Sequence, residues 1–155
     1  MAFTLDAGDA HIAELSWSRR EGSLATFKTV TGSWTLKRTG FLDPRVTVRV
    51  AGQEATVARL SAHLSAHRIE VRGGGSYQFR RAGMLVPAWT VSTDDGHELL
   101  HIEPVREGRK LEGGAVLVSD LGAGAPDLLL LVALSWYFIV LAWFEDEALV
   151  PFEGS

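Results

Sequence analysis

The stretch that decides the fold is LLLLVALSWYFIVLAWF, which runs from Leu128 to Phe144 without a charged residue. Ser135 is the only simple polar side chain among these seventeen residues. A helix that is apolar on every side lies either in a bilayer or in the core of a globular fold. Seventeen residues is the lower limit for a membrane span, which needs about 20.

The charges on either side of this stretch favour burial inside the protein. Asp127 precedes it and acidic residues follow at 145–147, while no Lys or Arg lies nearby to set an orientation in a membrane. We predict a buried helix over about 126–143, because proline suits a first helical turn and acidic side chains are unfavourable at a helix C-terminus. The aromatic residues predicted to lie in the core are Trp136, Tyr137, Phe138 and Trp143.

Most of the chain before this helix consists of short runs rich in Val, Ile, Thr and aromatic residues. Gly, Asp and Pro separate the runs, for example at Thr31-Gly32 and Asp95-Gly96. Short strands at intervals of about 8–12 residues are typical of an all-β sandwich or barrel. The predicted strands are His11–Trp17, Leu24–Val30, Ser33–Arg38, Arg45–Val50, Glu54–Leu60, Arg68–Arg72, Ser76–Arg81, Trp89–Thr93, Glu98–Val105 and Ala115–Ser119.

An apolar helix outside a membrane needs a surrounding sheet, and a closed barrel supplies one without open edges. We therefore predict a mainly β (α+β) protein in which a closed antiparallel barrel of roughly 10–12 strands surrounds the C-terminal helix. The 155 residues fit one domain, 1–155.

An internal repeat supports a regular architecture. Residues 34–48 (WTLKRTGFLDPRVTV) align with 77–91 (YQFRRAGMLVPAWTV) at a constant offset of 43. The six identical positions are Arg38/Arg81, Gly40/Gly83, Leu42/Leu85, Pro44/Pro87, Thr47/Thr90 and Val48/Val91. We extend the repeat to 34–60 and 77–103, and such a repeat indicates architecture rather than activity.

The composition excludes several classes of protein. With 46% hydrophobic and 22% charged residues, the chain matches globular proteins and not disordered ones. It has no cysteine, which excludes disulfides, thiol nucleophiles and thiolate metal sites. A net charge of −4 argues against nucleic acid as a partner. Residues 1–11 lack the features of a signal peptide, so we expect a cytoplasmic protein without stable membrane insertion.

The sharpest catalytic motif is the segment HELLH at 97–101, which fits the H-E-x-x-H pattern of zinc hydrolases. On a helix, His97 and His101 would bind zinc and Glu98 would activate a water molecule. The Asp-Gly turn before the segment and Pro104 after it favour a strand instead. On a strand the two histidines lie about 13 Å apart, too far to share one ion, so we expect no metal and no cofactor.

Two other motifs are expected to be structural. His63 and His67 would chelate a metal only on a helix, whereas the repeated Ser-Ala-His favours a strand pair or a solvated connection. The glycine run Gly73–Gly75 is predicted to be a loop between strands, because no Lys-Ser/Thr pair follows it as in a phosphate-binding loop.

Basic residues are the candidates for ligand binding. Lys37-Arg38 and Arg80-Arg81 occupy equivalent positions in the repeat. Together with outward-facing arginines they would form a cationic face for anionic lipid head groups or phosphates, although an ordinary solvated strand face is the alternative. Those arginines are Arg45, Arg49, Arg59, Arg68 and Arg72.

Short strands followed by one wholly apolar C-terminal helix resemble the tubby C-terminal-like group, which includes the LURP-one-related proteins and the phospholipid scramblases. The residues that carry the resemblance are 77–81, 89–96, 99–102 and 127–144. The resemblance implies a closed barrel around a central helix and, as in tubby domains, phosphoinositide binding through basic residues. Scramblases also have cysteine-rich and calcium-binding segments, which this chain lacks.

The sequence thus favours a non-enzymatic binding or scaffold domain. Its expected partner is an anionic lipid head group, a phosphorylated ligand or another protein, and the candidate binding residues are Lys37, Arg38, Arg80 and Arg81. Two alternatives stay open. One is a zinc-dependent hydrolase that uses 97–101, and the other is a tail-anchored membrane protein that uses 128–144.

Overall fold

A computed structural model of the chain describes residues 1–18, 22–40, 44–63, 66–83 and 87–149, without the side chains of His63 and of residues 146–149. The strands of the described residues are β1 (Ala2–Ala7), β2 (Ala10–Trp17), β3 (Ala25–Thr29), β4 (Ser33–Thr39), β5 (Arg45–Val50), β6 (Thr56–His63), β7 (Ala66–Val71), β8 (Ser76–Ala82), β9 (Ala88–Thr93), β10 (Glu98–Glu107) and β11 (Lys110–Val118). The helices are α1 (Asp120–Ala123) and α2 (Leu128–Leu149).

The strands form one eleven-stranded sheet in which each strand pairs antiparallel with the next along the chain. The sheet curves into a nearly closed barrel, and the predicted fold class is confirmed. Strand β1 was not among the predicted strands, although Phe3 and Leu5 alternate with polar residues as a half-buried strand requires. Strand β11 begins at Lys110, five residues before the predicted Ala115.

Helix α2 supplies the centre of the hydrophobic core. Leu131, Leu134, Tyr137 and Val140 are completely buried, in one core with alternate residues of the strands. The buried hydroxyl of Ser135 donates a 2.6 Å hydrogen bond to the carbonyl of Leu131, so its polar group is satisfied within the helix. The core therefore holds one apolar helix inside a sheet with an apolar inner face.

The helix boundaries differ from the predicted range of about 126–143. Helix α2 starts at Leu128 because Pro126 and Asp127 form a turn before it. It continues past Trp143 to Leu149. Arg38 forms an ion pair with Glu145, which offsets an acidic charge near the helix C-terminus.

The internal repeat is present in the backbone. The β4–β5 and β8–β9 pairs share one register, since Arg38 lies opposite Val46 and Arg81 lies opposite Trp89. The aligned glycines adopt the same left-handed conformation, with φ of 87° at Gly40 and 80° at Gly83. The identity of Leu42 with Leu85 lies outside the described residues.

Candidate anion-binding surface

The four predicted binding residues separate into two pairs. Successive side chains of a strand point to opposite faces of the sheet. Leu36 and Phe79 are fully buried, so the next residues, Lys37 and Arg80, lie on the outer face of the barrel. Arg38 and Arg81 fall in the inward register at the ends of β4 and β8. The structure therefore does not bring the four residues together in one site.

Lys37 and Arg80 lie instead among other cations on the outer face. These cations extend over five neighbouring strands, from β4 to β8, and include the outward-facing arginines predicted from the sequence. Five strands at the usual spacing are about 20–24 Å wide. We call this region the basic surface, and it consists of Lys37, Arg45, Arg49, Arg59, Arg68, Arg72 and Arg80.

Charge is distributed very unevenly along the chain. Residues 33–82, which contain β4 to β8, hold nine of the fifteen Lys and Arg residues but only three of the nineteen Asp and Glu residues. Their formal charge is +6, whereas the rest of the chain carries −10. A protein with net charge −4 thus has one strongly cationic side, and such a patch attracts anionic partners.

Acidic residues neutralise only part of the basic surface. Glu70 lies 3.4 Å from Arg59 and 3.6 Å from Arg68, and Asp94 lies 3.1 Å from Arg68. Exposed pairs of this kind contribute little to stability. Within the part of the chain that the structure describes, no ion pair engages Lys37, Arg49, Arg72 or Arg80. These side chains are therefore available to an anion.

A small cleft of about 140 Å³ lies between β4 and β5 on the outer face. Lys37 pairs across the strands with Thr47, and Arg49 pairs with Thr35. Cross-strand diagonal neighbours lie about 7–8 Å apart, so Lys37 and Arg49 flank the cleft within reach of one bound anion. The hydroxyls of Thr35, Thr39 and Thr47 line it as well. Two cations and the hydroxyls of Thr35 and Thr39 are suitable donors for a phosphate, while the Thr47 hydroxyl donates to the carbonyl of Lys37 at 3.5 Å.

The threonines of this cleft were not identified from the sequence. Their side chains meet Lys37 and Arg49 only through the register of β4 against β5, which places residue 35 opposite residue 49. A one-residue shift of β5 would turn Thr47 and Arg49 to the other face of the sheet. The alternation of side chains along a strand predicts that each of these residues points outward. It does not predict that the threonines lie beside Lys37 and Arg49.

Arg38 has a different environment at the end of the barrel where α2 finishes. Its guanidinium pairs with Glu145, and both residues line a cavity of about 390 Å³ with His67 and Phe138. The rings of His67 and Phe138 are 4.5 Å apart between centroids. Burial lowers the pKa of His67, so the ring tends to stay neutral. Glu145 already neutralises the charge of Arg38, so we do not place Arg38 in the anion-binding surface.

Residues 98–101 of the HELLH segment lie on strand β10, as the flanking turn and proline predicted, and His97 immediately precedes this strand. Glu98 begins β10, and His101 lies within it on the part-exposed side. The imidazole of His101 is 3.0 Å from Glu103 and 3.9 Å from Glu98. The helical zinc geometry that H-E-x-x-H requires is absent from this described segment. No three His, Asp or Glu side chains of the described residues form a metal-binding group.

The histidines at 63 and 67 belong to a strand pair, one of the two arrangements expected from the sequence. His63 ends β6 opposite Ala66, and His67 lies opposite Ala62. The helical arrangement that would let them chelate a metal is therefore wrong. The side chain of His63 lies outside the described residues, while that of His67 is half-buried against α2.

Among the described residues, one helix has the length and apolar character needed to cross a membrane. This is the part of α2 from Leu128 to Glu145, with a mean hydropathy of 2.1. Half of these residues are buried inside the protein. The same features are found in the central helix of a barrel, which is the position that α2 occupies here.

Comparison of the chain with protein-family models, with curated proteins and with solved structures finds no match. The class that the described residues define is therefore architectural: an eleven-stranded, nearly closed antiparallel barrel with a C-terminal apolar helix and a basic outer surface on β4–β8.

Proposed function

We propose that this protein is a non-enzymatic binding domain whose basic surface attaches to phosphate groups displayed on an anionic lipid surface. The observation that carries the proposal is the charge of +6 on residues 33–82 in a chain whose remainder carries −10. Each Lys or Arg near an anionic membrane surface contributes about 1 kcal/mol of attraction. The acidic remainder orients the molecule, because it is repelled by the same surface.

The cleft between β4 and β5 gives this attraction a specific focus. Lys37 and Arg49 supply positive charge, and the threonine hydroxyls supply hydrogen bonds that a simple charged patch lacks. A phosphorylated lipid head group combines both requirements. We therefore place Lys37 and Arg49 at the centre of the binding site and Arg72 and Arg80 at its periphery.

Membership of the tubby C-terminal-like group is part of this proposal. The barrel with a C-terminal helix in its core supports it, as does the location of basic residues on the barrel wall. A cytoplasmic location is also part of the proposal, because anionic lipids concentrate on the cytoplasmic leaflet. A protein partner for the same surface is the second candidate, and the test below separates the two.

Flotation with vesicles tests the proposal. Full-length protein is mixed with vesicles of phosphatidylcholine alone or with added phosphatidylserine or a phosphoinositide. We expect flotation only with anionic vesicles and its loss in high salt, because salt screens exposed charges. Flotation with neutral vesicles, or persistence in high salt, would indicate hydrophobic insertion instead. No flotation with any vesicle would reject the lipid and leave the protein partner.

A further inference from the structure

The barrel has a gap in its hydrogen bonding between its first and last strands. Both strands lie wholly within the described residues, and no backbone hydrogen bond joins β1 to β11. We call the region between them the seam. Eleven consecutive antiparallel strands leave β1 and β11 running in the same direction, so an antiparallel ladder cannot form directly between them. One further strand, antiparallel to both, would complete an even-numbered barrel.

The hydrogen bonds between β1 and β2 show which backbone groups of β1 face the seam. The N–H of Trp17 donates to the carbonyl of Met1. Because alternate residues of an antiparallel strand bond to opposite neighbours, Phe3 and Leu5 bond β2 as Met1 does. Ala2 and Thr4 therefore direct their N–H and C=O groups into the seam.

The same reasoning applies to β11 on the other side. The N–H of Ser119 donates to the carbonyl of Leu99 on β10. Alternation then turns the backbone groups of Gly114, Val116 and Val118 away from β10 and into the seam. Unpaired edges of this kind are templates for another strand.

Beneath the seam is an apolar groove of about 580 Å³. Its floor is the first part of α2, with Leu128, Leu129 and Val132, and its walls include Leu5 and Val116. At the other end Trp136 closes the seam, because its ring packs 5.4 Å from that of Phe3 and against the backbone of Gly114. The open part spans about five residues of β11, or about 17 Å.

We propose that the seam binds one extended peptide segment of a partner protein as a twelfth strand. Because β1 and β11 run in the same direction, the peptide lies antiparallel to both. The backbone groups of these two edge strands supply its hydrogen bonds. The apolar floor requires apolar side chains at alternate positions of the peptide. Asp6 lines the end of the groove at which an antiparallel segment would begin. Its carboxylate lies 3.2 Å from the ring of His11 and accepts a hydrogen bond from Thr4, and its negative charge favours a Lys or Arg at the first position of the peptide.

This site is independent of the basic surface. In the strand order β1 to β11, the strand farthest from the seam is β6, which lies at the centre of the basic surface. A peptide in the seam and an anionic lipid surface at β4–β8 would therefore occupy opposite sides of the barrel. The protein would then connect a partner to a surface without competition between the two.

The test uses the full chain and the peptide acetyl-Lys-Val-Thr-Val-Thr-Val-amide. Calorimetry measures binding, and amide hydrogen exchange maps it. We expect binding with protection confined to β1 and β11. Two further peptides carry N-methyl groups on either the valine or the threonine amides. Because each set of amides faces one edge, both should bind at least tenfold more weakly. Equal binding of all three peptides would indicate a side-chain pocket and overturn the proposal.

Two variants test the edges directly. Val118→Pro and Thr4→Pro each remove one N–H that faces the seam, while the ladders to β10 and β2 stay intact. We expect at least tenfold weaker peptide binding in each, with Val118→Thr and Thr4→Val as matched controls that keep the N–H.

Thermal melting identifies a variant that fails to fold, in which case the other variant and the methylated peptides decide. Unchanged binding in a folded proline variant, or no binding of the parent peptide at millimolar concentration, would overturn the proposal. So would a concentration-dependent dimer that Val118→Pro dissociates, because the occupant would then be a second copy of this chain.

Discussion

The hydroxyl of Tyr77 donates a 2.7 Å hydrogen bond to Oδ2 of Asp127, the residue before α2 begins. The N–H of Gly75 donates to the same oxygen at 3.2 Å. A Cβ at Gly75 would lie 2.5 Å from the Tyr77 hydroxyl, so glycine is required for this approach. The glycine run is a loop between β7 and β8, as predicted, and it holds the carboxylate that fixes the start of the central helix.

Removal of the Tyr77 hydroxyl is expected to destabilise the fold. Tyr77→Phe leaves a part-buried carboxylate without its closest donor, which costs about 1.5–3 kcal/mol for a charged acceptor. Tyr137→Phe is the matched control, because its hydroxyl donates to the neutral carbonyl of Ser23. We expect a smaller loss there, and urea denaturation measures both. An unchanged midpoint in Tyr77→Phe would contradict the role of this bond.

The same contact predicts a loss of stability in alkali. Burial, together with the hydrogen bond to Asp127 and its charge, raises the pKa of Tyr77 to about 12 from the usual value of 10. A folded-state pKa above the unfolded one stabilises the protein below pH 10, and this stabilisation is lost as the pH rises from 10 to 12. Denaturation across this range should show a shallower decline in Tyr77→Phe than in the wild type. Burial also raises the pKa of Tyr137, so a smaller decline is expected in Tyr77→Phe as well. Identical pH profiles would count against the assignment.

A carboxylate in the middle of α2 tests whether the helix is buried. Val140 is 0% exposed, so Val140→Asp would place an unpaired charge in the core and should abolish soluble expression. Leu131→Asp is expected to do the same. Phe144→Asp adds the same charge to the same helix at a position that is 43% exposed, and it should be tolerated. A soluble Val140→Asp protein that melts like the wild type would show that the helix does not lie in the core.

Truncation separates the central helix from a membrane anchor. If residues after Gly124 are removed, the barrel loses the buried core residues of α2 and should unfold. A tail-anchored protein would instead leave a soluble, folded domain. Circular dichroism and thermal melting of the truncated chain measure the difference, and a cooperative melting transition would favour the anchor.

The fold could be predicted because its two determinants are local. The apolar run at 128–144 and the alternation within short strands are visible in any window of the sequence. The repeat also predicted structure, since Gly40 and Gly83 share one backbone conformation.

The remaining features depend on residues far apart in the chain. Arg38 and Glu145 are 107 positions apart in the sequence, and Tyr77 and Asp127 are 50 apart, so no local pattern predicts either contact. The first pair lies in the part of α2 that extends beyond its predicted end at residue 143. Whether β1 meets β11 likewise depends on how the whole sheet curves.

The most direct test of the proposed function compares two charge reversals. Lys37→Glu alters the basic surface, whereas Lys110→Glu makes the same change at a side chain that is 79% exposed on β11. Each basic residue contributes about 1 kcal/mol near an anionic surface, and reversal also adds a repulsion of similar size. In a titration with phosphatidylserine-containing vesicles, Lys37→Glu should bind about thirty-fold more weakly, and Lys110→Glu should bind like the wild type. Equal weakening in both variants would show that only the total charge matters and would contradict a binding site on β4–β8.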